Sequence, residues 1–163
     1  MQPWPHPLPY LTDMSIWDTH RTLNPWLLLF KPDTASSIVL SLLTMARDGG
    51  DLPKWPLANV YTGCMTGAHS FVILADAAAK GIPYNLSEAL AVMVDEATSA
   101  AARRGYDLVD TYVKLGYLPV ELLDHGCSST LEYCCPSPPH THLLHSALVQ
   151  RVTCDAAAAA CDM

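Results

Sequence analysis

The sequence predicts an all-α domain built from helix hairpins. Three observations carry this. Apolar residues recur at three- and four-residue spacing in successive stretches. Gly or Pro marks the boundaries between those stretches. No stretch sustains apolar–polar alternation with the β-branched enrichment of a strand.

The elements are expected in the following order. A first helix runs from Thr19 or Asn24 to Phe30, because Pro25 suits a first turn and Lys31-Pro32 stops the run. A second covers Thr34 to Arg47, capped by Asp33 or Thr34, with Ile38, Leu42, Met45 and Ala46 at helical spacing. Gly49-Gly50 suits a left-handed C-terminal cap. The stretch from Asp51 to Thr62 is a loop in which Pro53 and Pro56 bracket Trp55. A third helix spans Met65 to Lys80 and ends at Gly81, and its Phe71 to Ala75 run is apolar nearly all round, so it needs neighbours on several sides. A fourth spans Ser87 to Ala102, preceded by a capping-box pair, Asn85 and Glu88. A fifth covers Tyr106 to Leu115 and closes at Gly116, and a sixth begins near Ser128 and is cut by Pro136. Six short helices cannot satisfy one another's apolar faces easily.

Composition narrows the function. The formal charge is −7, the wrong sign for neutralising phosphates or for a polybasic membrane contact, so neither a nucleic acid nor a membrane is expected as partner. Hydrophobic residues make up 50% of the 163 residues and charged residues 15%, against roughly 25% charged in an average domain. Such a chain builds a core rather than staying disordered, and its low charge implies more buried surface than one small domain supplies. No apolar run exceeds six residues, far short of the roughly 20 of a membrane span.

Prolines at positions 3, 5, 7 and 9 make residues 1–10 an extended arm rather than an export signal, which leaves the compartment open. Residues 11–133 form the domain. From Cys134 the character changes to a Pro- and His-rich run, then a polyalanine stretch, with Arg151, Asp155 and Asp162 as the charges. Residues 134–163 are therefore expected to be an atypical tail, foreign to the domain. Five of six cysteines fall after residue 126 and do not staple the body. Cys134, Cys135, His140, His142 and His145 lack the paired spacing of a structural zinc site.

Two clusters carry possible chemistry. In the first, Ser15 to Pro25, Trp17 stands beside Asp18 with Arg21 three residues on. A carboxylate and a guanidinium can fork onto vicinal hydroxyls while an indole packs on a sugar's apolar face. The same residues can equally form a helix cap and an Asp18–Arg21 salt bridge. In the second, Leu52 to His69, a loop rich in Trp, Asn, Tyr and Gly feeds a helix whose first turns carry His69. That loop can serve a site, or Trp55 and Tyr61 can simply fill core. Asp76, two turns after His69, needs a partner if buried, whereas Asp95 and Glu96 diverge around their helix and read as a solvated face. Arg103 and Arg104 read as a surface feature.

Read together, Trp17-Asp18-Thr19-His20-Arg21-Thr22, Leu52-Pro53-Lys54-Trp55-Pro56-Leu57-Ala58-Asn59, Ala75-Asp76-Ala77 with Lys80-Gly81-Ile82, and the later Thr130-Leu131-Glu132-Tyr133 resemble glycoside hydrolase family 92, the calcium-dependent exo-acting α-mannosidases. The resemblance runs from Tyr10 to Tyr133. It implies an α/α toroid, incomplete in this chain, preceded in full-length members by a β-sandwich. It implies an inverting mechanism in which an acid and a base sit roughly 6.5–9.5 Å apart to admit a water, and calcium bound to sugar hydroxyls. It places Trp17, Asp18 and Arg21 in a terminal mannose subsite, with His69 beside them as a further substrate-binding candidate.

The resemblance also implies what is missing. The family's acid, base and most calcium contacts lie after the region matched here, so no catalytic residue and no metal ligand is assigned. His20 stands where an aromatic is common and Ala68 where an acidic residue is common. The chain is expected to be a fragment of an α-mannosidase, inactive by itself, with a mannose-containing glycan as ligand and the rest of the enzyme as a possible partner. A non-catalytic helical binding module or an unstable product is the alternative. Family members are mostly secreted or vesicular.

Overall fold

The computed structural model describes residues 8–98 and 108–133. Seven helices stand among the described residues: α1 Ile16–Thr19, α2 Leu23–Phe30, α3 Pro32–Gly49, α4 His69–Ala79, α5 Leu86–Thr98, α6 Val109–Leu115 and α7 Gly126–Tyr133. α3 packs against α2 and α4, α4 touches α1, α2 and α5, and α5 meets α6. Ile16, Val39, Leu42, Leu43, Phe71 and Leu74 form the dry centre.

The helix boundaries follow local backbone chemistry. Lys31-Pro32 does not merely stop α2; Pro32, with its φ already set for a helix, opens α3. α3 ends as expected at Gly50, whose φ of 91° lets its N–H close on Ala46. α4 starts at His69 and not at Met65, because Met65 and Gly67 have φ of 65° and 83° and cannot be helical. α1, which periodicity did not predict, is one turn set apart from α2 by residues 20–22, and the Asn24 amide donates to Thr19 Oγ1 at 2.9 Å across the gap.

The expected capping box is half made. Asn85 Oδ1 accepts the Glu88 N–H at 3.2 Å. The Glu88 carboxylate turns to Arg47 instead, through a two-pronged contact whose outer bond is 2.7 Å, and this holds Glu88 below the usual carboxylate range.

α3 buries Ser36, Ser37 and Ser41 without penalty, since each hydroxyl donates to the carbonyl four residues back at 2.6–2.9 Å. Ser41 Oγ also accepts the Leu11 N–H at 2.8 Å, which moors the start of the domain.

Two short strands, β1 Pro56–Leu57 and β2 Val60–Tyr61, pair antiparallel inside the expected loop. Ala58 and Asn59 turn between them with φ of 49° and 60°, the left-handed pair that matches strand twist. Tyr61 packs across Gly49, and its hydroxyl sits 2.6 Å from the Met45 carbonyl.

One expectation is corrected. Glu96 is not on a solvated face: it is 1% exposed, and its carboxylate accepts the Leu52 N–H, tying the loop to α5. Burial is possible because a backbone donor meets the charge. Asp76 is half-buried and does find a partner, Lys80, one turn on.

The low charge content shows as exposed apolar surface. Leu23, Trp26, Leu29 and Phe30 of α2 are 48–63% exposed, and Val113, Leu115, Tyr117, Val120, Leu122 and Leu131 are exposed as well. No described helix is long and apolar enough to cross a membrane. Arg103, Arg104 and the cysteines and histidines of the tail lie outside the described residues, as does most of the proline arm.

Candidate functional site

The site begins with α1. Ile16 is fully buried and pins the turn to the core, which leaves Trp17 half-buried and Asp18 exposed. Thr19 secures the turn by donating its hydroxyl to the Ser15 carbonyl at 2.9 Å. The helix breaks after Thr19, and Arg21 projects outward from the break.

His20 points the other way. Its Nδ1 lies 2.9 Å from the Trp17 carbonyl and 3.2 Å from that of Ile16. Carbonyls only accept, so Nδ1 carries the proton. The ring stacks on His69 with centroids 3.9 Å apart and planes 11° apart. A flat ring is therefore present at position 20, and it does the stacking work of an aromatic.

α4 brings His69 and α7 brings Glu132. His69 Nε2 stands 3.2 Å from Glu132 Oε2, and Arg21 Nη2 stands 3.6 Å from Glu132 Oε1. The expected Asp18–Arg21 bridge does not form; Arg21 turns to α7. The His69 side chain is 4% exposed and that of Glu132 17%, while that of Arg21 is 61% exposed. His69 thus lies beneath the cluster and Arg21 at its open face, while Asp18 is exposed on α1.

Gly67 makes the approach possible. A Cβ there would lie 2.7 Å from His69 Nε2 and 3.0 Å from the Glu132 Cβ, and its φ of 83° suits glycine in any case. Beside it the buried Lys54 donates to the Met65 carbonyl at 2.7 Å.

Burial pushes His69 down to about 4, assisted by the neighbouring His20, Arg21 and Lys54. At neutral pH the imidazole is uncharged, so its contact with Glu132 is not an ion pair. Nor is it an aligned hydrogen bond: among the described residues Nε2 is buried with no partner in bonding geometry. We read the 3.2 Å approach as close contact without alignment.

The sequence placed Trp17, Asp18, Arg21 and His69 together, and the structure brings Arg21 and His69 to one carboxylate. Glu132, His20, Lys54 and Gly67 complete the cluster. Glu132 lay in the Thr130 to Tyr133 stretch, but no local spacing connects it to α1. Among the described residues no three His, Cys, Asp or Glu side chains converge as metal ligands. The donor set present therefore does not fit a calcium site made by these residues alone.

A sequence model of the glycosyl hydrolase family 92 catalytic domain matches residues 4–137. No curated protein matches the chain. Among solved structures, a family 92 inverting mannosidase of Bacteroides thetaiotaomicron is 32% identical, with a TM-score of 0.70 over 77% of this chain. A family 92 α-mannosidase of the same organism, solved alone and with mannoimidazole, is 28% identical, with a TM-score of 0.69 over 83% of this chain. The chain spans 17% of the length of each of these structures. Its helices are an incomplete α/α toroid.

Proposed function

Because the chain belongs to glycosyl hydrolase family 92, we propose that it forms part of an inverting α-mannosidase and carries the subsite for a terminal α-mannose. The substrate class is terminal α-mannosides, for example α-1,2-linked, on N-glycans or mannans. The observation that carries the reading is the exposed Arg21 paired to Glu132 beside His69, which stacks on His20, with Asp18 exposed three residues before Arg21. Asp18 accepts from one sugar hydroxyl and Arg21 donates to its neighbour, while the Trp17 indole offers an apolar face.

This chain does not cleave by itself in our reading. Inverting hydrolysis needs an acid and a base on opposite sides of the sugar, roughly 6.5–9.5 Å apart. Glu132 is committed to Arg21 and His69, and Asp18 is assigned to binding, so neither is free for that pair. Calcium belongs to the proposal as a cofactor of the whole enzyme, and no step here passes through it. The partner that supplies the remaining chemistry is the rest of the toroid.

The test is an assay of purified chain on α-1,2-mannobiose with calcium present. No turnover above a heat-killed control is expected. Turnover would overturn the assignment of Asp18 and Glu132 to binding and support.

A further inference from the structure

Resting on the mannoside reading, we infer that Glu132 is a positioning residue of this site: one carboxylate oxygen pairs with the Arg21 guanidinium, and the other, in close but unaligned contact, biases His69 toward the tautomer with its proton on Nε2. The two oxygens are divided between the two partners, Oε1 at 3.6 Å from Arg21 and Oε2 at 3.2 Å from His69.

The chemistry of Nε2 biases the tautomer. An ionised carboxylate only accepts. Although the contact is not aligned as a hydrogen bond, a bare Nε2 lone pair at 3.2 Å would oppose the oxygen, whereas a proton on Nε2 relieves that repulsion. The ring cannot turn away easily. His20 covers one face at 3.9 Å, and the His20 ring is itself held by its Nδ1 proton against two carbonyls. Gly67 closes the remaining side, with space for no side chain.

Arg21 needs such an anchor. A mostly exposed arginine loses rotamer freedom when it is fixed on a ligand. A carboxylate that selects one rotamer beforehand removes part of that loss. Glu132 suits the task because its own side chain is largely covered and its stem sits on a helix secured by Tyr133, which meets Tyr112 edge-on at 5.6 Å.

The experiment uses the full chain labelled with nitrogen-15. Two-bond imidazole correlations at pH 7 read which His69 nitrogen carries the proton, and methyl α-mannoside titration reads affinity. The wild type is expected to show Nε2–H. Glu132→Ala is expected to shift His69 toward Nδ1–H and to weaken mannoside binding tenfold or more. Glu132→Gln keeps an accepting oxygen, so it is expected to retain Nε2–H while binding several-fold more weakly. An Nδ1–H tautomer in the wild type, or Glu132→Ala with unchanged tautomer or unchanged affinity, would overturn the inference. Should Glu132→Ala fail to fold, the Gln variant decides, and undiminished affinity there overturns it. Should the wild type bind no mannoside, the mannoside reading fails, and the wild-type tautomer alone still supports or overturns the role of Glu132.

Discussion

Glu132 of α7 stands 3.6 Å from Arg21, which follows α1 at the far end of the described chain. The fold brings these two ends together, and Gly67 leaves room there for His69 beside Glu132.

Gly67→Ala is expected to destabilise the fold by about 2–4 kcal/mol, from left-handed strain plus the collision with His69 Nε2 at 2.7 Å. Gly50→Ala is the matched control: its φ is 91°, but nothing lies within 4 Å of the added carbon. It should cost about 1–2 kcal/mol. Urea unfolding of both variants checks the difference; equal losses would remove the crowding argument.

Stability should fall on acidification through His69. Its folded value is depressed from 6.5 to about 4, so the unfolded chain takes up the proton first. This contribution is complete above pH 6.5, shrinks as pH drops toward 4, and changes little below that. The loss is of order 3 kcal/mol across that window. Unfolding free energies at pH 7.5 and 4.5 for wild type and His69→Asn measure it, with a flatter profile expected for the variant.

Phe71→Ala is expected to cost about 3–5 kcal/mol, because the ring is 1% exposed among Val39, Leu42, Leu43 and Leu74. Differential scanning calorimetry should show a melting temperature lowered by ten degrees or more, or no cooperative transition.

The α2 face should make the isolated chain self-associate. The Trp26 and Phe30 rings meet at a 40° tilt with centroids 5.3 Å apart and are 51% and 63% exposed, beside Leu23 and Leu29. Light scattering of the double variant Trp26→Glu, Phe30→Glu is expected to show less association than wild type. Equal association would place the sticky surface elsewhere, with the exposed Val113 and Leu131 the next to test.

Much of the fold was legible because it is encoded locally. The Asn85 cap, the Gly50 terminus and the buried Phe71 run each follow from a few adjacent residues. The hairpin was not legible, since its turn is Ala58-Asn59 rather than a glycine pair, and outside help comes from Asp13, which accepts the Ala58 N–H. Glu96 was misjudged because its partner, the Leu52 N–H, is supplied by a distant loop. For the same reason Glu132, which pairs with Arg21 and lies beside His69, could not be joined to those two residues from the sequence.

Titration of the wild-type chain and of Asp18→Ala with methyl α-mannoside decides whether this arc of the toroid holds a sugar subsite. Asp18 is exposed, so the variant should melt like the wild type. Saturable binding by the wild type, lost in Asp18→Ala at unchanged stability, is the predicted result. A wild type that does not bind, or a variant that binds as well, would contradict it.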